Sequence, residues 1–504
     1  MNFFSTRGKT AFSFSEAVLR GIAPDGGLFS PDKIPKIGSD FWEKFSESNF
    51  AEVAAEIFSK FANDFSLAEI RFAADSAFSL RNFSNSKIAP VRQISSGFFL
   101  LELFHGPTGA FKDFALQFLP RIFSLAIEKE SAKPRCVLVA TSGDTGGAAL
   151  SGFSDLPNVC LFVFFPKNGV SELQKLQMKC SPGKNVAAIE INGDFDIAQT
   201  GVKEIFINSE FLEKVKKFGI KFSSANSINI GRLLPQIFYY FFAFLQLRNS
   251  GKILPGEKID IAIPVGNFGN VLAAFFAKKM GLPVKNFIVA SNENDSITKF
   301  LQTGTFDLRN CKTKKTLSPA MDILRPSNLE RLLFFFSENN SEKNIFWQKS
   351  LLENKFFTIE KEIFKKISDE FFGFSVSDLE ISREIKKSWD EFDFLPDPHT
   401  AVAINASRKY RANFPDNKRK ILIASTAHFG KFGKSVFQAV FPEKEVPNSE
   451  VEILKKLDKI TQSPKIPENF FNIFAEKIRH QQFCDGSTNA MKKIILENLT
   501  SIRL

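Results

Sequence analysis

The stretch HGPTGAFKDFALQFL, residues 105–119, places a lysine where an ordinary surface lysine is hard to explain. A glycine-bearing loop precedes Lys112, and the apolar residues from Phe114 to Leu119 recur at roughly helical spacing, which predicts that Lys112 lies near the start of a buried helix. Burial and the positive end of a helix both lower a lysine pKa, which favours the neutral amine that Schiff-base chemistry requires. The alternative is a lysine whose stem packs on the phenylalanines while its ammonium group reaches water.

The composition is that of a globular protein with more than one core. The 504 residues are 44% hydrophobic and 24% charged, and a chain of this length usually divides into about two to four domains or lobes. The net charge is +11, but the basic residues are scattered without a run of five, so we expect no nucleic-acid partner. The longest apolar block, residues 237–247, is shorter than the roughly 18 residues of a membrane span, so we expect no membrane partner.

The cysteines indicate neither a metal site nor a disulfide framework. They are widely spaced and form no C-x-x-C pair, which predicts no zinc site and favours a reducing, cytoplasmic location. The five are Cys136, Cys160, Cys180, Cys311 and Cys484.

Three regions differ in their sequence pattern. Residues 1–95 show helical periodicity with little β signal and predict a mainly helical N-terminal domain. Residues 96–440 alternate short β-rich runs with helices, which predicts largely parallel sheets covered on both faces. Residues 441–504 predict a helical C-terminal extension. The predicted N-terminal helices are Phe14–Leu19, Phe50–Phe61 and Leu67–Phe78, and the predicted strands are Phe98–Leu103, Cys136–Ala140, Val159–Phe165, Val186–Ile191, Ile259–Pro264, Phe287–Ala290 and Ile421–Ser425.

Two predicted strands end in glycine-bearing loops that open helices. These loops are ATSGDTGG, residues 140–147, and PVGNFGN, residues 264–270. The backbone N–H groups of such a loop converge on an anion at the positive end of a helix, and phosphate is the usual guest. A glycine turn between a strand and a helix also occurs without any ligand, so both interpretations stay open. Neither loop contains G-x-G-x-x-G or G-x-x-x-x-G-K-[ST], which argues against Rossmann cofactors and P-loop nucleotides.

A desolvated lysine, two phosphate-type loops and the Ser425-Thr426 pair after a strand are together typical of pyridoxal-phosphate enzymes of fold type II. The sequence resembles the threonine synthase family in its longer form with an N-terminal domain, and the matching motifs run in order over residues 12–440. These motifs include GGLFSP (26–31), HGPT (105–108), AFKDF (110–114), ATSGDTG (140–146), NGDFD (192–196), SANSIN (224–229), GNFGN (266–270), SPAMD (318–322), PH (398–399) and STAH (425–428).

The resemblance implies an α/β fold of the pyridoxal 5'-phosphate (PLP) fold type II class, like the tryptophan synthase beta chain. Two open, mostly parallel α/β lobes would carry an added N-terminal helical domain. The implied activity is that of a carbon–oxygen lyase, which converts O-phospho-L-homoserine and water to L-threonine and phosphate in the last step of threonine biosynthesis. This small-molecule substrate is the expected partner, and the chain is expected to be a monomer or a homodimer.

The resemblance also implies roles for individual residues. Lys112 would hold the cofactor as a Schiff base and transfer protons, and Thr426 would face the pyridine nitrogen. The cofactor phosphate would lie on Gly266, Asn267, Phe268, Gly269 and Asn270. The substrate would contact Thr141, Ser142, Gly143, Asp144, Thr145, Asn226 and Ser227. Polar and basic groups near residues 224–232 are the candidates for the substrate phosphate.

Several of these residues also have a purely structural interpretation. His105 and His428 are either packed histidines or ligand contacts, and His399 is expected to cap or pack at a helix start. Asp144 is expected to cap the helix that follows its loop, and Asp113 to stabilise the start of the lysine helix. Thr426 could likewise cap the turn after its strand.

Two departures from the family pattern and two rival functions stay open. Gly109 stands where the family usually has a bulky apolar residue, and Phe429-Gly430 stand where Pro-Ala usually follow the histidine. Neither departure removes a reacting group.

The rivals are another fold type II enzyme, such as a serine or threonine dehydratase or a cysteine synthase, and a catalytically inactive relative that acts as a binding protein.

Overall fold

The computed structural model describes residues 1–501, which form an α/β structure. Its strands are β1 Phe3–Ser5, β2 Ala11–Phe12, β3 Phe29–Pro31, β4 Val91–Gln93, β5 Phe98–Glu102, β6 Arg135–Ala140, β7 Val159–Pro166, β8 Val186–Ile191, β9 Lys221–Ser224, β10 Ile259–Pro264, β11 Val284–Ser291, β12 Thr305–Asp307, β13 Phe356–Thr358, β14 Phe371–Ser375, β15 Ile421–Ser425 and β16 Phe483–Cys484.

The helices of the described residues surround these strands. They are α1 Phe14–Arg20, α2 Phe41–Lys44, α3 Phe50–Ser59, α4 Leu67–Ala77, α5 Lys112–Lys129, α6 Asp144–Phe153, α7 Glu172–Lys179, α8 Phe195–Ile207, α9 Ser209–Lys216, α10 Ile230–Leu233, α11 Phe238–Asn249, α12 Gly269–Met280, α13 Ser296–Thr303, α14 Leu329–Phe336, α15 Ser341–Glu353, α16 Lys361–Ser368, α17 Asp378–Phe392, α18 Pro398–Asn413, α19 Gly433–Val440, α20 Glu450–Ile460, α21 Glu468–Asn472 and α22 Thr488–Ser501. Short 3-10 helices cover Leu234–Ile237, Pro319–Met321, Phe429–Phe432 and Ile473–Ala475.

Two largely parallel sheets form the two lobes. The first has the order β14-β11-β10-β15-β5-β4, with β4 antiparallel to β5, and the second has the order β16-β8-β7-β6-β9 with parallel pairing throughout. Every predicted strand is confirmed, with small shifts at the ends. β7 is buried along its whole length, as expected for a parallel strand covered by helices on both faces. The predicted α/β fold with two mostly parallel lobes is therefore confirmed.

The N-terminal part combines helices with a small sheet. The predicted helices are confirmed as α1, α3 and α4, and each begins with a reciprocal capping box, such as Ser13 with Glu16. The antiparallel sheet β2-β1-β3 was not predicted, because strands of two or three residues are too short to show an alternating pattern. The ring of Phe118 in α5 lies 4.8 Å from Phe58 of α3 and 5.6 Å from Phe238 of α11, so this part shares its core with the lobes.

The segment after residue 440 packs on both lobes. It is mostly helical, but it also supplies β16, which pairs in parallel with β8 at the edge of the second sheet. This strand has only two residues and was likewise invisible in the sequence pattern. Next to the first lobe, the ring of Phe470 in α21 is buried.

Helices α5 and α6 approach each other very closely and set the position of the two residues at which they begin, Lys112 and Asp144. A Cβ added to Gly152 of α6 would lie 1.8 Å from the carbonyl oxygen of Leu116 in α5. Only a glycine can stand where the two backbones come this close. Within residues 1–501, no helix combines the length and the apolar character that a membrane crossing requires.

We expect Gly152→Ala to destabilise the protein because its new Cβ would overlap the backbone of α5. Overpacking of this kind costs about 1–3 kcal/mol, which exceeds the roughly 1 kcal/mol that alanine gains over glycine inside a helix. Gly147→Ala in the same helix is the matched control, since its Cβ would meet no atom closer than 3.6 Å. Denaturant unfolding measures both variants, and equal free energies of unfolding would contradict the close contact.

Candidate active site

A cavity of about 610 Å³ opens at the carboxyl ends of β6, β10 and β15. This end of a parallel sheet is where α/β proteins usually bind ligands. Arg7 and Leu28 of the N-terminal part also line the cavity. All residues expected to hold the cofactor line it together, namely Lys112, Gly266, Asn267, Phe268, Gly269, Asn270 and Thr426.

Lys112 is the first residue of α5, and its side chain is only 13% exposed. Its Nζ donates a hydrogen bond to Asp144 Oδ2 at 3.1 Å. Burial lowers the pKa of the Lys112 amine, and the ion pair with Asp144 opposes this shift only in part. The amine therefore lies inside the cavity rather than in open water, which favours the desolvated interpretation of this lysine.

Asp144 does not cap its helix, contrary to the expectation from sequence. The capping position is Gly143, and the Asp144 carboxylate makes no capping bond. Instead, Oδ2 accepts from Lys112, while Oδ1 accepts from Gln174 Nε2 at 2.7 Å and lies 3.2 Å from Lys431 Nζ. Burial opposes ionisation, but the two lysines outweigh it and hold the pKa of the Asp144 carboxyl well below its usual range.

Lys431 is a second buried lysine, and sequence reasoning missed it. Its side chain is 0% exposed, and its Nζ donates to Thr108 O at 2.5 Å and to Gln177 Oε1 at 2.9 Å besides pairing with Asp144. Lys431 thus connects the 3-10 helix after β15 to the loop before Lys112. No spacing in the sequence marks it, because its partners come from three distant segments.

The two glycines of the loop after β10 differ in their surroundings. Gly266 is crowded, since a Cβ there would lie 2.6 Å from Ala320 O. Gly269 opens α12 and has room for a Cβ, whose nearest neighbours would lie 3.6 Å away. The left-handed conformation falls instead on Phe268, with φ of 63°. The carbonyl of Asn267 is held by the Asn328 side chain at 3.0 Å.

Thr426 is joined to the lysine segment through its backbone. Its carbonyl accepts the N–H of Phe111 at 2.8 Å, and its own N–H donates to Thr400 Oγ1 at 3.2 Å. The cap of the following 3-10 helix is His428, whose side chain accepts from the Gly430 N–H. The capping role considered for Thr426 therefore belongs to His428.

The other singled-out residues have structural partners. His428 is buried, which lowers its pKa to about 3, and His105 Nε2 lies 2.8 Å from a Glu102 oxygen. His399 lines the cavity, but its Nε2 accepts the N–H of Ala320 at 3.2 Å, and the cap of its helix is Asp397. Asp113 accepts two bonds from Thr108 and one from Ala110, so it folds back on the preceding loop.

The residues expected to bind substrate divide into two groups. Five line the cavity: Thr141, Ser142, Thr145, Asn226 and Ser227. Gly143 and Asp144 do not line it. Gly143 has φ of 137°, and the space where its side chain would lie is filled by Gln174 at 2.7 Å. These two residues therefore shape the loop and position Lys112 rather than face the cavity.

Three cations in the cavity wall have neutral hydrogen-bond partners. Burial lowers the pKa of each, to about 10 for Arg232, whose Nε is also buried without a partner among the described residues. Cations that bond only to neutral groups in a cavity wall favour an anionic guest. Arg232 was within the stretch expected to bind the substrate phosphate, but Lys203 and Arg325 were not predicted. The bonds are Arg232 Nη1 to Ala225 O at 2.6 Å, Lys203 Nζ to Gln199 Oε1 at 3.0 Å and Arg325 Nη2 to Gln348 Oε1 at 2.9 Å.

Phe470 lies against Gly109 and Gly430, two of the residues at which the resemblance to the family motifs is imperfect. A Cβ at Gly109 would lie 2.5 Å from the Phe470 ring, and a Cβ at Gly430 would lie 3.3 Å from the same ring. Gly109 also has φ of 69°, which favours glycine. The C-terminal segment thus fills the space that a larger side chain at residue 109 would occupy.

Three family models match successive parts of the chain. They are described as threonine synthase N terminus, over residues 2–78, pyridoxal-phosphate dependent enzyme, over residues 85–335, and threonine synthase, C-terminal, over residues 400–495.

Individual relatives agree with these matches. Threonine synthase-like 1 of Homo sapiens is 39% identical over 95% of this chain, and the chain spans 65% of the length of that relative. Threonine synthase of Saccharomyces cerevisiae is 36% identical, over 90% of this chain and 93% of that protein. The crystal structure of PLP-bound threonine synthase from Brucella melitensis has a TM-score of 0.87 at 30% identity and covers 100% of both chains.

We expect Lys431→Met to raise the Lys112 pKa, because the variant removes a cation that repels the Lys112 ammonium and leaves Asp144 to pair with Lys112 alone. Only the neutral amine is acetylated, so in the PLP-free protein the midpoint of Lys112 acetylation, followed by mass spectrometry, moves to higher pH. Lys434→Met, at an exposed position nearby, is the matched control and leaves the profile unchanged. A Lys431→Met profile identical to that of the parent would show that the two lysines do not interact.

Proposed function

We propose a function for this chain on the premise that it belongs to the threonine synthase family. The reaction is the conversion of O-phospho-L-homoserine and water to L-threonine and phosphate, with PLP as the cofactor. The observation that carries the proposal is one cavity lined by a buried lysine, a phosphate-type loop and three cations that bond only to neutral groups.

The residues of the cavity fit a phosphorylated cofactor. The Asn270 amide nitrogen is buried without a partner among the described residues, and the positive end of α12 lies at the same loop. Lys112 would hold the aldehyde carbon covalently, residues 266–270 the phosphate, and Thr426 the ring nitrogen. The volume of about 610 Å³ is within the usual range for small-ligand sites.

The bound cofactor supplies electron withdrawal from the substrate α-carbon, so that protons can leave Cα and Cβ and the γ-phosphate can be eliminated before water adds at Cβ. Lys112 acts as the acid and base: its Nζ, whose pKa is lowered by burial, accepts a proton from substrate carbon and returns it. Asp144 holds the protonated amine in place through its Oδ2.

The remaining groups bind and orient the substrate. Thr141, Ser142 and Thr145, at the start of α6, receive the substrate carboxylate. The cations Lys203, Arg232 and Arg325 bind the substrate phosphate and stabilise the charge that grows on it as it leaves. The cluster supports a phosphorylated substrate over serine or threonine, because a dehydratase has no second phosphate to bind.

The rivals are a dehydratase of the same fold type and an inactive relative that only binds ligands. A cytoplasmic location is also proposed, and it is supported by the five cysteines, which are all free thiols.

We expect the purified protein to release phosphate and form threonine in equal amounts from O-phosphohomoserine, and to do neither with homoserine or serine. A free hydroxyl is a much poorer leaving group than phosphate, and only the phosphorylated substrate matches the cation cluster. Phosphate release and amino-acid analysis measure the outcome. Pyruvate formation from serine at an equal or faster rate would favour a dehydratase, and no turnover by the PLP-loaded protein would favour the inactive relative.

We expect Arg325→Gln to raise the KM for O-phosphohomoserine about 10- to 100-fold while PLP binding is retained, since a hydrogen bond between charged groups contributes roughly 1.5–3 kcal/mol. Arg309→Gln, an arginine paired with Asp307 on the surface, is the matched control and should leave KM unchanged. Steady-state kinetics measure the KM for O-phosphohomoserine, and a PLP titration measures cofactor binding separately. An unchanged KM in Arg325→Gln would remove this cation from the substrate site.

A further inference from the structure

This chain has few tyrosines, and their positions indicate where a side-chain hydroxyl group has a specific role. The sequence has 61 phenylalanines and only 3 tyrosines, and two of these are adjacent, in the run Phe238-Tyr239-Tyr240-Phe241-Phe242 of α11. Tyrosine differs from phenylalanine by a single hydroxyl group. The buried setting of α11 would accept phenylalanine at both positions, so the two hydroxyls need an explanation of their own.

Both hydroxyls converge on one atom of the phosphate-type loop. Tyr239 OH lies 2.8 Å and Tyr240 OH lies 2.5 Å from Asn270 Oδ1. Tyr239 OH is also 3.3 Å from Gln236 Oε1, but a phenol has one proton and the contact with Asn270 is the shorter. Both tyrosines are 0% exposed, and burial raises the pKa of both phenols well above its usual value, so they remain protonated donors.

The distances identify which end of the amide faces the tyrosines. Contacts of 2.5 and 2.8 Å are typical of O–H···O bonds, whereas N–H···O bonds are usually longer. A carbonyl oxygen has two lone pairs and can accept both phenols at once. The oxygen of Asn270 is therefore held toward α11, and its amide nitrogen is turned away from α11.

The amide nitrogen is then a donor without an acceptor. Asn270 lies in the first turn of α12 and lines the cavity, and its Nδ2 is buried with no hydrogen-bond partner in residues 1–501. A buried donor left unpaired costs free energy, which an arriving acceptor recovers. A phosphate oxygen at the positive end of α12 is such an acceptor.

We propose that Tyr239 and Tyr240 are positioning residues, which hold the Asn270 side chain so that its amide nitrogen donates to the phosphate of the bound cofactor. The inference rests on the proposed function, because it takes the group bound at this loop to be the PLP phosphate. Neither tyrosine lines the cavity, so both act through Asn270. Without the two phenols the amide can rotate, and its oxygen would then repel the phosphate in a fraction of the molecules.

The third tyrosine provides a matched control. Tyr410 is also buried and hydrogen-bonded through its hydroxyl, which lies 2.7 Å from Asn286 and 3.3 Å from Asp260. It is in α18 and does not line the cavity. Tyr410→Phe therefore removes the same atom from an equally buried network that has no connection to the phosphate-type loop.

The test measures dissociation constants of the full-length chain for PLP and for pyridoxal, which lacks the phosphate. We expect Tyr239→Phe and Tyr240→Phe each to weaken PLP binding about threefold, and the double variant about tenfold or more, as for the loss of one or two ordinary hydrogen bonds. Pyridoxal affinity should stay unchanged, and Tyr410→Phe should change neither constant. In an Asn270→Ala background the tyrosine substitutions should have no further effect on PLP affinity.

Three results would overturn the proposal: unchanged PLP affinity in the double variant, equal losses for PLP and pyridoxal, or an undiminished loss in the Asn270→Ala background. If the double variant does not fold, the two single variants decide by the same criteria. A parent chain that binds PLP no more tightly than pyridoxal would instead refute the cofactor phosphate site of the proposed function, and this inference with it. Selective PLP binding by the parent with unaffected tyrosine variants would refute the inference alone.

Discussion

The Asp144 carboxylate lies between the amines of Lys112 and Lys431, and all three groups are shielded from bulk water. Each lysine lowers the free-energy cost of burying the carboxylate. The carboxylate in turn offsets the repulsion between the two lysine ammonium groups. The three residues come from α5, from α6 and from the 3-10 helix after β15, so the ion group fixes three elements of both lobes at the edge of one cavity. The close packing of α5 on α6 at Gly152 also helps to fix the positions of Lys112 and Asp144, the residues at which these two helices begin.

In the proposed function, the cavity has two kinds of anion-binding wall. One wall is the loop between β10 and α12, whose residues 266–270 line the cavity, with the Asn270 side chain bonded to the neighbouring Tyr239 and Tyr240. The other is a set of side-chain cations, Lys203, Arg232 and Arg325, whose partners are neutral. A neutral loop suits a cofactor that stays bound, and a cationic wall suits a phosphate that gains charge as it leaves.

The C-terminal segment takes part in the site without contributing a reacting group. The Phe470 ring packs against Gly109 and Gly430 and leaves little room for a larger side chain at either position. A small residue on one segment and a large ring on another fill the space between them, which keeps this part of the core closely packed. The loop before Lys112 is therefore supported by a part of the chain that lies more than 300 residues away along the sequence.

The sequence by itself determined the parallel strands, the lysine at a helix start and the two glycine loops, because continuous apolar runs, helical spacing and glycine turns are local patterns. The family motifs also named the residues expected to hold the cofactor, and in the structure all of these residues line one cavity. Only the tertiary structure decided that Asp144 pairs with lysines instead of capping, that Phe268 rather than Gly269 takes the left-handed backbone, that Lys203 and Arg325 line the cavity, and that Lys431 is buried against Asp144. These features depend on contacts between segments far apart in the chain. A single charged side chain forms no periodic pattern in the sequence. Its burial can therefore be recognised only in the folded structure, where the surrounding elements pack together.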